Sequence, residues 1–115
     1  MSERETKLLL EDILDSLTKI ELYTLGFSFE DYESDSKTKD AVERNFEKIG
    51  EASSRISDDY KLLNPAIEWR ILKDFRNLII HEYFGINNQI IWDTIKNRLP
   101  NLKQDILKLI TTDKL

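Results

Sequence analysis

The residues with the greatest capacity for chemistry stand together. His81, the only histidine in the 115-residue chain, follows Arg76 by five positions and Asn77 by four, and precedes Tyr83 by two. The stretch encloses the apolar run Leu78, Ile79, Ile80 and continues into Phe84 and Gly85. An arginine holds and neutralises a phosphate through a planar fork of donors, and an imidazole trades protons near neutral pH. With an amide and a phenol beside them, these groups suit a phosphate diester: the guanidinium would stabilise charge on the phosphoryl oxygens while the imidazole moves the proton. No metal or other cofactor is required, since a lone histidine without clustered carboxylates lacks the usual ligand spacing.

Helical geometry sets a condition on this reading. At about 100° per residue, Asn77 and His81 share one face, whereas Arg76 and His81 diverge by about 140°. A long guanidinium can still converge on the imidazole's target, more easily where two copies of the helix meet or where the chain bends near Gly85. Plainer roles fit the same spacing. His81 near a helix C-terminus complements the macrodipole, Arg76 can pair with Asp74, Glu82 or Glu51, and Tyr83 can be a packed aromatic.

The elements that must position these residues read as helices. Ser2 and Glu5 form a capping-box pattern, and Leu10, Ile13, Leu14, Leu17 and Ile20 recur at three and four positions. That spacing predicts a first helix from Glu3 to Leu25, ended by Gly26. Residues 27–39 are polar and acidic and predict a loop, with Phe27, Phe29 and Tyr32 as possible anchors. Val42, Phe46, Ile49, Ser53 and Ile56 predict a second helix over Thr38–Ile56. Gly50 lies inside it, where glycine costs about 1 kcal/mol against alanine, so a close approach by another helix is expected there.

Residues 57–63 then form a link, and Asn64 and Pro65 read as the N-cap and first residue of a third helix running to Tyr83. Its buried side would carry Ile67, Ile71, Phe75, Leu78 and Ile79, with Gly85 as its stop. Asn87 or Asn88 would cap a fourth helix whose apolar face runs through Ile91, Ile95, Leu99, Leu102, Ile106 and Ile110. Pro100 should kink or divide that helix. The chain shows no internal repeat, low-complexity tract or credible strand. An all-α, antiparallel bundle of four to five helices in a single domain spanning 1–115 follows.

Composition narrows the setting. A chain of this length can bury roughly two-thirds of its unfolded surface and fold without staples. Cysteine is absent, which excludes disulfides, thiolate metal sites and cysteine nucleophiles and suits the reducing cytoplasm. The charged start and the lack of a long apolar run predict a soluble protein with no membrane segment. The net charge of −5 argues against a general nucleic-acid coat. It is unevenly spread, however. Residues 1–57 carry 8 basic and 14 acidic side chains, while residues 58–115 carry 9 and 8. Contact with an anionic substrate therefore belongs to the half that holds Arg76.

Arg76, His81 and Tyr83 match the Arg-x4-His-x-Tyr signature of the HEPN superfamily, and the chain resembles its HepT-like toxins in particular. The likeness runs from Arg44 to about Leu102, through Glu43, Arg44, Ile49, Gly50, Glu51 and Ala52, then Asn64, Pro65, Ile67, Trp69 and Ile71, the motif itself, and Ile91 and Trp92. The resemblance implies a helical toxin of a toxin-antitoxin pair, acting as a metal-independent RNA endonuclease. Arg76 would then stabilise the phosphate and His81 act as acid-base; Asn77 is expected either to orient His81 or to be a plain helix-surface amide. Family members dimerise through the motif helices, which implies a homodimer or higher assembly with two motifs in one cleft.

The partner implied is an MntA-like nucleotidyltransferase antitoxin that transfers AMP to the motif tyrosine, here Tyr83. A bulky anion at that position would block an RNA phosphate by charge and volume. Glu51 is expected to support the site by reaching Arg76 or Asn77, or else to be a solvated charge. Trp69 and Trp92 fit core or dimer positions better than RNA-stacking platforms. The competing reading is a non-catalytic HEPN-like module that binds nucleotides or docks the nucleotidyltransferase.

Overall fold

The computed structural model of the chain describes residues 2–83 and 88–112, except for the side chains of 80–83. Seven helices lie among the described residues: α1 (Glu3–Tyr23), α2 (Phe29–Ser34), α3 (Ser36–Arg55), α4 (Asp58–Leu63), α5 (Trp69–Tyr83), α6 (Asn88–Asn97) and α7 (Leu99–Thr112). They form an all-α bundle, with no strand among the described residues.

The long helices are those the apolar periodicity predicts. Leu10, Ile13, Leu17 and Ile20 of α1 are buried to 1% exposure or less. The Ser2 hydroxyl accepts from the Glu5 amide at 3.1 Å, capping the free end of α1. Gly26 adopts φ +76°, the left-handed conformation that lets the chain turn away after α1 without a Cβ penalty. The Thr24 carbonyl accepts the Phe27 amide across this turn at 3.0 Å.

Two short helices and two helix starts differ from the sequence expectation. The stretch predicted as a loop over 27–39 contains α2 and the first turn of α3. Ser28 and Asp31 make the two reciprocal bonds of a capping box, at 3.0 and 3.1 Å, and Tyr32 is fully buried with its ring stacked on Trp92 at 5.4 Å. The link over 57–63 is likewise mostly helical, with Ser57 capping α4. Asn64 is not an N-cap. Its side-chain amide donates back to the Tyr60 carbonyl at 2.9 Å, closing the C-terminus of α4. Its carbonyl accepts the Trp69 indole N–H at 3.0 Å. With Asn64 and Pro65 engaged in this turn, α5 begins at Trp69 rather than Pro65.

The fourth predicted helix is divided, as the proline suggests. The chain turns at Arg98, and Pro100 becomes the second residue of α7, where a missing amide leaves no intrahelical bond unmade. Gly85 and Asn87, read as a stop and a cap, lie outside the described residues, and Asn88 is the first residue of α6.

The centre of the bundle is α3. It packs most extensively against α1 and α5, while α7 lies on α1, α6 on α7, and α2 bridges α3 and α6. Between α3 and α5, the rings of Phe46 and Phe75 meet edge to face at 4.9 Å, a contact that contributes beyond its buried area. A surface pair, Lys103 with Glu21 at 2.9 Å, spans α7 and α1.

A candidate phosphate-binding site on the fifth helix

The inner stripe of α5 decides which way its polar residues face. Leu72, Phe75 and Ile79, three and four apart, are buried at 0%, 3% and 1% exposure. Residues one position beyond Phe75 are rotated by about 100° from that stripe, and Arg76 and Asn77 are both exposed. The helix is continuous through Tyr83, so the backbone spacing that puts Asn77 and His81 on one face holds. The side chains of His81, Glu82 and Tyr83 lie outside the described residues.

Arg76 is held from behind. Its stem crosses Gly50 of α3 so closely that a Cβ on that glycine would stand 2.5 Å from the Arg76 Cγ and 3.2 Å from its Cδ and backbone nitrogen. The close approach expected at Gly50 is therefore made by the motif arginine itself. Among the described residues, no carboxylate lies within salt-bridge distance of the Arg76 head group. The pairings open to it with Asp74 and Glu51 are not made.

Glu51 stands elsewhere. One residue beyond Gly50, it is exposed and lines a groove of about 290 Å³ between α1 and α3, together with Asp12, Asp15, Ser16, Lys48 and Arg55. The structure brings Arg76 together with Gly50, and it does not bring Glu51 into an ion pair with Arg76.

Two further basic residues escaped the motif-centred reading. Arg70, Lys73 and Arg76 recur at three positions along α5, all exposed and, among the described residues, none with an acidic partner within 4 Å. Such a row can follow successive phosphates of a polyanion. The signal available in the sequence was the i, i+3, i+6 spacing of like charges on one helix.

The tryptophans have structural places. Trp92 is 7% exposed, stacked on Tyr32 and covered by Lys96 at 4.7 Å from the ring centroid. Trp69 is half-buried, edge-on to Tyr60 at 6.2 Å and bonded to Asn64. Trp69 thus ties the start of α5 to the end of α4. Among the described residues, no group of three or more His, Cys, Asp or Glu could hold a metal ion, and no helix is long and apolar enough to cross a membrane.

Comparison with known proteins bears on the family of the chain. The family model described as ribonuclease HepT-like matches residues 13–109. The chain is 43% identical over 107 residues to a protein of Thermococcus cleftensis named as a probable ribonuclease HepT, covering 93% of this chain and 97% of that one. It is 36% identical over 110 residues to a protein of Methanocaldococcus jannaschii that carries a provisional RNase name, covering 96% and 91%. A provisionally named RNase of Caldanaerobacter subterraneus is 32% identical over 105 residues, covering 91% and 94%. No solved structure matches. With the family match spanning most of the bundle, including the α3 and α5 segments that hold Gly50 and Arg76, the chain belongs to the ribonuclease HepT-like family.

Proposed function

We propose that this protein is a metal-independent RNA endonuclease in which Arg76 and His81 act on one phosphodiester. The 2′-hydroxyl of the RNA gives its proton to His81 and attacks the adjacent phosphorus. The new bond closes a 2′,3′-cyclic phosphate, the bond to the 5′-oxygen breaks, and that oxygen leaves with a proton returned from the imidazole. Arg76 neutralises the charge that builds on the non-bridging oxygens, and Asn77, on the same helical face as His81, orients the ring. Arg70 and Lys73 carry the strand toward Arg76.

The observation that carries this reading is an exposed arginine without an acidic partner among the described residues, set five positions before the only histidine in a chain of ribonuclease HepT-like family. Two copies meeting through their α5 helices would bring Arg76 and His81 into one cleft despite their angular separation. Regulation falls on Tyr83: a nucleotidyltransferase antitoxin transfers AMP to its phenol, placing a second anion where the RNA phosphate must sit. The protein is then the toxin of a toxin-antitoxin pair in the cytoplasm.

Expression of the wild-type chain in bacteria should arrest growth and degrade RNA, and folded His81→Ala should do neither. Co-expression of the nucleotidyltransferase with ATP should relieve the arrest and add one adenylate to the Tyr83 peptide by mass. Undiminished RNA cleavage by folded His81→Ala would remove the catalytic assignment. An unmodified Tyr83 peptide would remove the adenylylation.

A further inference from the structure

We infer that Gly50 is a positioning residue for Arg76, selecting by its missing Cβ the single path along which the arginine stem can cross α3. The inference rests on the reading of Arg76 as the phosphate-stabilising group. Glycine is a poor choice for the interior of a 20-residue helix, and at a position with free space around it alanine would be favoured. The space at Gly50 is occupied. A Cβ there would lie 2.5 Å from Arg76 Cγ, a distance at which one atom must move, and 3.2 Å from the Arg76 backbone nitrogen.

These two contacts have different meanings. The Cγ belongs to a flexible side chain and can swing away, carrying the guanidinium with it. The backbone nitrogen belongs to α5, whose Phe75 packs edge to face on Phe46 of α3, and it can move only with the helix. An added methyl is therefore relieved mainly by re-aiming Arg76. In the wild type the notch does the converse: it confines a long side chain that would otherwise sample many rotamers, so the head group is already aimed when a phosphate arrives.

The test is a double-mutant cycle on RNA cleavage and thermal unfolding with Gly50→Ala, Arg76→Ala and the double variant. Gly50→Ala should lower the cleavage rate by about a hundredfold, the scale of a misplacement near 1 Å, with the loss in kcat rather than KM. In the Arg76→Ala background the same change should cause no further loss of rate. It should also lower Tm less there than in the wild type, because the Cγ and Cδ it meets are gone. If Gly50→Ala alone does not fold, the double variant should fold; a double variant equally unfolded overturns the inference. Loss of cleavage in Arg76→Ala beside an undiminished rate in Gly50→Ala overturns the positioning role alone. Wild-type cleavage by Arg76→Ala overturns both that role and the reading it rests on.

Discussion

Arg76 differs from Arg70 and Lys73 in having its stem packed into a notch, and this separates what each should contribute. A charge that only tracks the backbone acts through counterion release, so Lys73→Gln should weaken RNA binding evenly across sequences. It should also reduce the slope of log K against log salt by about 0.7 for a single strand. A titration at several salt concentrations reads this directly, and an unchanged slope removes Lys73 from the phosphate track. Arg76→Lys keeps the charge but loses the planar fork. Cleavage by this variant should fall by about tenfold or more while RNA binding changes far less. The motif was legible in the sequence because its residues lie within one helix, where spacing fixes relative angle. The Gly50 contact was only half legible. A buried helical glycine announces a close approach, but its partner, 26 positions away, depends on how α3 and α5 are set against each other. The same limit explains Glu51, whose neighbour Gly50 faces α5 while Glu51 itself turns toward α1.

The long helices follow from their apolar periods, and the short ones do not, for a physical reason. A six-residue helix has too few turns to show a repeat, so α2 and α4 are held by caps and anchors instead. Tyr32 is the anchor of α2. Its side chain is fully buried against Trp92, and Tyr32→Ala should cost about 3–5 kcal/mol in denaturant unfolding, the range for removing a large aromatic from a core. A cost below about 1 kcal/mol would mean that α2 is not part of the cooperative unit. The start of α3 gives a pH signature. The Thr38 amide donates to the Asp35 carboxylate at 3.0 Å and the Thr38 hydroxyl at 2.9 Å, and these bonds hold the Asp35 pKa below its ordinary value. Because the folded-state value is depressed, the contribution of this cap is complete above the unfolded value of about 3.9. It is lost as pH falls through the folded one. The Tm difference between wild type and Asp35→Ala should therefore be largest near neutral pH and narrow below about pH 4. A difference independent of pH would show that the charge of Asp35 has no part in the cap. The displaced start of α5 has a similar local origin: Asn-Pro fits a helix start by propensity, but Asn64 is already committed to closing α4 and holding Trp69.

A chain with net charge −5 is an unlikely-looking partner for RNA only if its charge is taken as a whole. The acidic excess lies in the first half of the chain, and the row on α5 belongs to the second. Pairing of two molecules through α5 would set two such rows along one cleft, so sedimentation should report twice the 13.6 kDa chain mass. A species of 13.6 kDa at working concentration would leave the cleft unformed. The central claim, that Arg76 and His81 together cleave RNA without a metal, is tested most directly by single-turnover cleavage of defined RNA oligonucleotides in the presence of a chelator. Wild type, Arg76→Ala and His81→Ala would be compared, with the product ends identified. Wild type should cut and leave 2′,3′-cyclic phosphate ends, and each variant should be slower by about a hundredfold or more while remaining folded. Equal rates for wild type and either variant, or cleavage that stops when the chelator is added, would contradict it.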